Sequence, residues 1–484
     1  MFNYLVYLVL YLFFSAGLSE AQLHPFQFQF TTEQGRIISN GIVDIVEDGS
    51  RIWFGTNKGV MVTPDNGKTF KAYGVQEGLG KGSVTALSIH NGVVWVATGF
   101  DSTTKEGELP TGGGLAYSND RGQTWHYLNQ PVDPKTISEY KPTTTNVQNV
   151  TYDIAFQGDT IWIASWGGGI RKSIDDGMTW QVNPPDNFPF DVLQYLNHRG
   201  FAVISARNGL WVGTAGGINK STDGGRSWTR YTPQNGSGIS GSFVTALAEQ
   251  RINNRSIIWA ATWKAEGQDE FYGVSKTENN GLTWEVTLEG QKAHNFGFHG
   301  DEVYVATDAG LWKSDDLGKS WAKFPPVVDA LGNLNLTTIF NSTQYVFGYL
   351  WAGTDDGLVR TSDNGLHWEL FRAFQPTQGN NTPKTYAYPN PFSPSRHNRL
   401  DEDGFVRMQY STTADTKVSV CIYDFALKKV ATVIDGAARS GGREYSEIWN
   451  GKNDRGDQVA NGVYFYKIEL AGQGTLWGKI VIID

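Results

Sequence analysis

The sequence predicts an all-β fold: a seven-bladed β-propeller followed by an immunoglobulin-like β-sandwich. One eight-residue pattern recurs seven times, as TPDNGKTF, SNDRGQTW, SIDDGMTW, STDGGRSW, TENNGLTW, SDDLGKSW and TSDNGLHW. Ahead of each copy stands an apolar run ending in a small residue: IWFGT, VWVAT, IWIAS, LWVGT, IWAAT, VYVAT and LWAGT. The chain is also rich in residues that turn and anchor, with 57 glycines and 17 tryptophans in 484 residues against a charged fraction of 18%. That balance favours many short strands over helices.

The chain opens with MFNYLVYLVLYLFFSAGLSEA, whose apolar stretch is short for a membrane span and ends in small residues suited to cleavage after Ala21. Residues 1–21 therefore read as a secretory signal. Their lack of Lys and Arg leaves a membrane-anchored form as the alternative. Cys421 is the single cysteine, so no intramolecular disulfide can form. It sits in the alternating run KVSVCIYDF and reads as a buried small apolar residue.

Residues 22–372 form the repeat region. The pattern glycines Gly67, Gly122, Gly177, Gly225, Gly281, Gly318 and Gly365 lie about 50 residues apart, a blade-like period. Each period offers four strands: an upstream run such as GIVDIVED or VTYDIAFQ, the run before the box, a short run such as GVMVT or GGIRKS, and one opened by the box aromatic. Within the box, an aspartate two residues before the glycine can accept hydrogen bonds from turn amides two positions on, and the glycine supplies the positive φ. Asp65, Asp120, Asp175, Asp223, Asn279, Asp316 and Asp363 hold that place. The amide at 279 accepts the same bonds without charge, so the box is structural. One molecule rarely needs seven copies of a catalytic or metal loop.

These boxes resemble the Asp-box, or BNR, repeats of sialidases, sortilin-type propellers and xyloglucan-cleaving glycoside hydrolases. IWFGTNKGV and LWVGTAGGINK are also similar to the ligand-sensing propellers of two-component regulators. The resemblance implies the propeller fold and leaves activity open, since such repeats occur in enzymes and non-enzymes alike. A sialidase would place an arginine in an Arg-Ile-Pro motif; GRIIS with Arg36 lacks the proline. Xyloglucan-cleaving enzymes pair two such propellers, and one is present.

Residues 373–386, AFQPTQGNNTPKTY, have linker composition. Residues 387–484 alternate apolar and polar positions through six or seven strands, the pattern of a sandwich. YPNPF, WNGKNDRG and NGVYFYKIE resemble the Ig-like domain of the flagellar hook-capping protein and, more closely, the C-terminal sorting domain of type IX secretion substrates. The resemblance implies the secretion machinery as a partner and a secreted or cell-surface location. Asp484 departs from the basic residue that often ends the family. DRGD, residues 454–457, reads as turn chemistry.

Long insertions occur only between the second and third strands or between blades: 99–114, 128–150 and 263–273. Loops of these two kinds share one face, opposite the boxes. At the second-strand ends there, Phe100, Trp166 and Trp263 are the candidate ligand-binding residues, either as solvent-facing rings for sugar or peptide or as rings packed under their own loops. Other blades carry Asn57, Ala215, Asp308 and Asp355. Acids gather on the same face: Asp101, Glu106, Glu108, Glu266, Asp269, Glu270, Asp308, Asp355 and Asp356. Two of them at a suitable separation would serve glycoside hydrolysis, and sequence does not supply that separation. His294 and His299 are the closest approach to a histidine cluster. No cofactor or metal motif is present. The net charge of −9 and the absence of a Lys/Arg run exclude nucleic acid as a partner. The sequence thus points to an exported, non-catalytic module that binds glycan or protein, with a polysaccharide hydrolase and a structural surface component as alternatives.

Overall fold

The computed structural model describes residues 36–134, 136–140, 144–265, 267–378 and 382–484, so the expected signal at 1–21 lies outside the described residues. The chain divides into two compact units. One runs to Val327 and resumes over Ile339–Arg372; the other joins Val328–Thr338 to Ala373–Asp484.

The first unit holds seven four-stranded antiparallel sheets among the described residues, each built from consecutive strands. Their innermost strands are Ile42–Glu47, Ser83–His90, Thr151–Gln157, Gly200–Ala206, Phe243–Ile252, Ala293–His299 and Phe340–Val346. Each lies beside the inner strand of the next sheet, and the last lies beside the first. The second strands are the apolar runs read from sequence, and from Ile52–Thr56 to Tyr349–Thr354 they are almost wholly buried. Residues 99–114, expected as a loop, instead continue the second and third strands of sheet two as a β-hairpin spanning Val93–Thr104 and Gly107–Ser118.

The boxes connect the third and fourth strands of each sheet. In the first, the Thr69 N–H and hydroxyl donate to the two oxygens of Asp65 (2.8 and 2.6 Å), and the Gly67 N–H donates to the Thr63 hydroxyl (2.6 Å). The aspartate therefore reaches four positions on, not two, and the Ser/Thr hydroxyl bonds the carboxylate. The box of Asn279 keeps the geometry: its Oδ1 accepts from the Thr283 N–H (2.9 Å) and its Nδ2 donates to the Thr283 hydroxyl (2.7 Å). Residue 66 and Gly67 both have positive φ, at 57° and 88°, as do their counterparts in the other boxes. Two successive left-handed residues characterise a tight type I′ turn.

Each sheet grips the box of the next. The strand-two indole of Trp53, Trp162, Trp211 and Trp259 lies under Gly122, Gly225, Gly281 and Gly318 respectively, where a Cβ would meet the ring at 2.6–3.1 Å. Lys220 and Lys276, cross-strand partners of Trp211 and Trp259, donate to the carbonyls of Asn280 (3.0 Å) and Leu317 (2.7 Å) in the neighbouring boxes. The box needs glycine both for its φ and for this close approach.

The second unit is two sheets, one of Thr385–Tyr388, Val406–Thr412 and Arg443–Trp449, the other of Lys429–Arg439, Thr416–Tyr423, Gly462–Leu470 and Gly474–Ile482 in that order. Their core includes Phe392, Met408, Tyr410, Val420, Tyr466 and Ile480. Part of the stretch read as a linker is built into this unit: the Thr377 N–H and hydroxyl donate to Glu444 (2.7 and 2.8 Å), and Thr385 opens a strand. YPNPF holds the final strand, with Asn390 donating to the Lys479 carbonyl and accepting from the Val481 N–H (both 2.9 Å). Cys421 is half-buried, because Val418, Val420 and Ile422 take the inward positions and alternation turns residue 421 to the outer face. DRGD is a turn in which Asn453 Oδ1 accepts from the N–H groups of Arg455 and Asp457.

Candidate functional site

Every inner strand carries one irregularity at the same station. The register skips one residue between Ile42 and Asp44, Val84 and Ala86, Thr151 and Asp153, Gly200 and Ala202, Val244 and Ala246, Ala293 and Asn295, and Phe340 and Ser342. A β-bulge re-aims the unpaired side chain. Here the unpaired residues are Val43, Thr85, Tyr152, Phe201, Thr245, His294 and Asn341, and all seven line one cavity of about 1400 Å³. The inner strands supply its walls. The bulges sit near the strand starts, at the mouth on the insertion-bearing face, where Asn57, Lys58, Lys81, Phe100, Asp101, Asp308 and Asp355 also line it.

The mouth is chemically two-sided. On one arc Tyr152 stacks on Phe201 (5.4 Å between centroids), Phe201 meets Phe243 (4.6 Å), and Phe243 meets Trp263 (6.1 Å). On the other, His294 Nε2 lies 2.6 Å from Oδ1 of Asp308, and Asn341 Nδ2 donates to Asp355 (2.8 Å). Burial raises the Asp355 carboxyl and Asp308 and Asp356 add repulsion, against the opposing pull of Asn341 and His294. Burial, then the charge of Glu108, likewise raises Asp101.

Of the three predicted aromatics, Phe100 is half-buried, lies under the Lys81 ammonium (4.1 Å) and lines the cavity. Trp166 is 8% exposed, packed on Phe201 and Ala215 with the Arg199 guanidinium at 5.1 Å. Trp263 is 1% exposed, edge-on to Tyr272 and His294, and its indole N–H donates to the Ala293 carbonyl (2.8 Å). These two indoles form the floor under the mouth rings, not a solvent-facing platform. Neither lines the cavity.

The candidate acids separate. Glu270 is a loop clamp that accepts from Gln234, Ser242 and the Ala265 N–H (2.6–2.7 Å), and these bonds lower its carboxyl against the desolvation of its site. Asp356 is ion-paired to Arg372 (2.9 Å). Glu106 and Glu108 lie on the projecting hairpin and Asp269 on the 263–273 loop, while Glu266 is outside the described residues. Asp101, Asp308 and Asp355 reach the cavity. His299 pairs with Glu302 (3.0 Å) and stacks on Tyr345, at the opposite end of the strand that begins beside His294. The 128–150 insertion is anchored by a buried ion pair, Arg171 to Asp133 (2.7 Å), with Asp133 also accepting from Tyr140 and the Thr144 N–H.

Sequence reading missed the bulge ring. Its signal is the alignment of IVDIV, VTALS, TYDIA, GFAVI, VTALA, AHNFG and FNSTQ, in which a variable residue precedes a small or hydrogen-bonding one.

Among known families, the BNR/Asp-box repeat matches residues 116–127. No curated protein matches the sequence. Among solved structures, a GH74 enzyme of Niastella koreensis is similar at 13% identity and a TM-score of 0.51, over 93% of this chain and 67% of that one. An ancestral GH74 enzyme gives 15% and 0.52, over 93% and 63%. PorZ, an essential surface component of the type IX secretion system of Porphyromonas gingivalis, gives 15% and 0.45, over 94% and 70%. Likeness at these identities is one of fold, an all-β propeller architecture. No helix among the described residues is long and apolar enough to cross a membrane.

Proposed function

We propose that this is an exported recognition protein. Residues 22–372 close as a seven-bladed propeller that binds a ligand over the channel mouth without transforming it. Residues 387–484, an Ig-like domain, address it to the type IX secretion machinery and so to the cell surface or medium. The bulge ring carries the reading. Seven copies of the box keep one chemistry because the turn demands it. Seven copies of the bulge carry Val, Thr, Tyr, Phe, Thr, His and Asn, which no backbone geometry demands. Diversified side chains at an equivalent, inward-aimed station are what recognition needs.

A glycan fits this mouth better than a protein segment. Tyr152 and Phe100 bring aromatic surface to the cavity, with one face of each ring covered by Phe201 and by the Lys81 ammonium, and the opposite arc offers hydrogen-bonding edges at His294, Asn341 and Asp308. The test is a glycan array probed with the full chain, then with Tyr152→Ala and Asn341→Ala. Binding that weakens about tenfold or more in either variant supports the reading; absence of any glycan binding removes it.

One observation favours hydrolysis as a second reading. Asp355, whose carboxyl burial raises, lines the cavity together with Asp308, and a pair of carboxyls at one site is what acid–base glycoside cleavage uses. Turnover of dye-linked polysaccharides, abolished by Asp355→Asn, would replace recognition by hydrolysis.

A further inference from the structure

The outer face of the four-stranded sheet in the second unit carries apolar surface that its own fold leaves open. Cross-strand register sets Tyr423 opposite Phe465 and Phe465 opposite Lys479, with Cys421 opposite Lys467 and Lys467 opposite Trp477 in the next row. Directly opposed residues share a face. Tyr423 and Trp477 approach to 5.7 Å, Phe425 and Phe465 to 6.3 Å, and the Lys467 ammonium sits 5.7 Å over Trp477. At the edge of this face the Asp424 side chain folds a turn by accepting from the N–H groups of Ala426 and Lys428 (both 2.9 Å). That turn projects Phe425 and Leu427, 78% and 61% exposed, while Trp477 is 50% exposed. Leu427 has φ 59°, a conformation that glycine or asparagine would adopt at less cost.

Charge identifies the occupant. Lys428 and Lys429 follow the turn directly, and Lys417, Lys467 and Lys479 lie on the same face, against the carboxylates of Asp424, Asp435 and Glu469, the last ion-paired to Lys467. This is a locally basic surface on a chain of net charge −9. Aromatic and leucine side chains at a projecting turn, ringed by lysines, match the boundary of an anionic bilayer: the rings enter the headgroup region and the ammonium groups stay at the phosphates. We infer that the turn Phe425–Leu427, with Trp477, Lys428, Lys429 and Lys467, docks the protein on an anionic lipid surface. This goes beyond ligand recognition at the propeller mouth and does not depend on it.

The experiment is co-sedimentation of the full chain with vesicles of phosphatidylcholine alone and of equal parts phosphatidylcholine and phosphatidylglycerol. Residues 1–21 contain no Lys or Arg, so the increment due to phosphatidylglycerol does not come from the charge of that segment, and the variants assign it to the face. The inference predicts that this increment falls at least about tenfold in Phe425→Ser/Leu427→Ser and in Lys428→Glu/Lys429→Glu. It also predicts that salt weakens the increment. All four positions are exposed, so the variants fold, and an unchanged thermal midpoint checks this. No increment in the parent chain overturns the inference, as does an increment untouched by the Phe425/Leu427 change. Binding to soluble polygalacturonate that depends on the lysines but not on Phe425 assigns the face to an anionic glycan and also overturns it.

Discussion

Gly67 in the first box seats against Trp351 in the last sheet of the repeat: a Cβ at Gly67 would lie 2.8 Å from Cη2 of the indole. Arg360, the cross-strand partner of Trp351, donates to the carbonyl of Asn66 in that same box. Phe54 and Phe70 of the first sheet meet Trp351 and Phe371 of the last at 5.5 and 5.6 Å. The contact that joins neighbouring sheets thus also joins the last sheet of the repeat to the first.

Gly67→Ala tests that junction. The substitution strains a residue at φ 88° and drives a methyl into the indole, costing roughly 2–5 kcal/mol. Gly92→Ala, at φ 78° with open space around it, carries the backbone cost alone. Thermal melts should show the larger loss at Gly67, and equal losses would mean that the indole contact is unimportant.

The boxes predict acid sensitivity. Hydrogen bonds from the Ser/Thr of their own turns lower Asp120 and Asp316 to about 2, and bonds from His367 do the same for Asp363. A depressed folded-state value stabilises above the ordinary carboxylate pKa and is lost as pH falls from about 4 toward 2. Asp120→Asn should blunt that loss while leaving the melting temperature near neutral pH almost unchanged, as Asn279 implies. Asp120→Ala should lower the melting temperature at both pH values.

Two channel carboxylates predict the opposite slope. Burial raises Asp44 to about 6 and Asp153 to about 7, although each accepts backbone N–H groups, including Val203 N–H to Asp153 at 2.8 Å. Raised folded-state values mean that the native chain holds protons the unfolded chain releases, so this contribution declines as pH rises from about 4 to 7. Asn295 occupies the equivalent station and accepts from the Thr343 N–H (3.2 Å) as a neutral amide. Asp44→Asn/Asp153→Asn should therefore raise the melting temperature at pH 8 and flatten its dependence between pH 5 and 8; a fall at pH 8 would contradict this.

Much of the fold was legible because the box is local. Its aspartate, glycine and hydroxyl bond one another within eight residues, and the periodic strands announce themselves by composition. The mouth was not legible, because bulge residues from seven distant strands converge only when the sheets close. Glu270 and Trp263 resemble functional residues by type and position, and only burial and bonding partners reveal them as clamp and floor. The joining of Val328–Thr338 to the second unit, through contacts such as Arg407 donating to the Leu334 carbonyl (3.0 Å), left no compositional mark.

The buried pair Arg171–Asp133 predicts a strong effect from a single change. Arg171→Met leaves Asp133 buried without its cation, at a cost of about 3–5 kcal/mol. Proteolysis within 128–150 should accelerate in this variant, and an unchanged rate would show that the ion pair does not hold the insertion.

Hydrogen exchange of the full chain, with and without its strongest array glycan, tests recognition at the mouth most directly. The account predicts protection around Tyr152, His294 and Asn341 with none at the box turns. Protection confined to the boxes, or spread evenly over both faces, would contradict it.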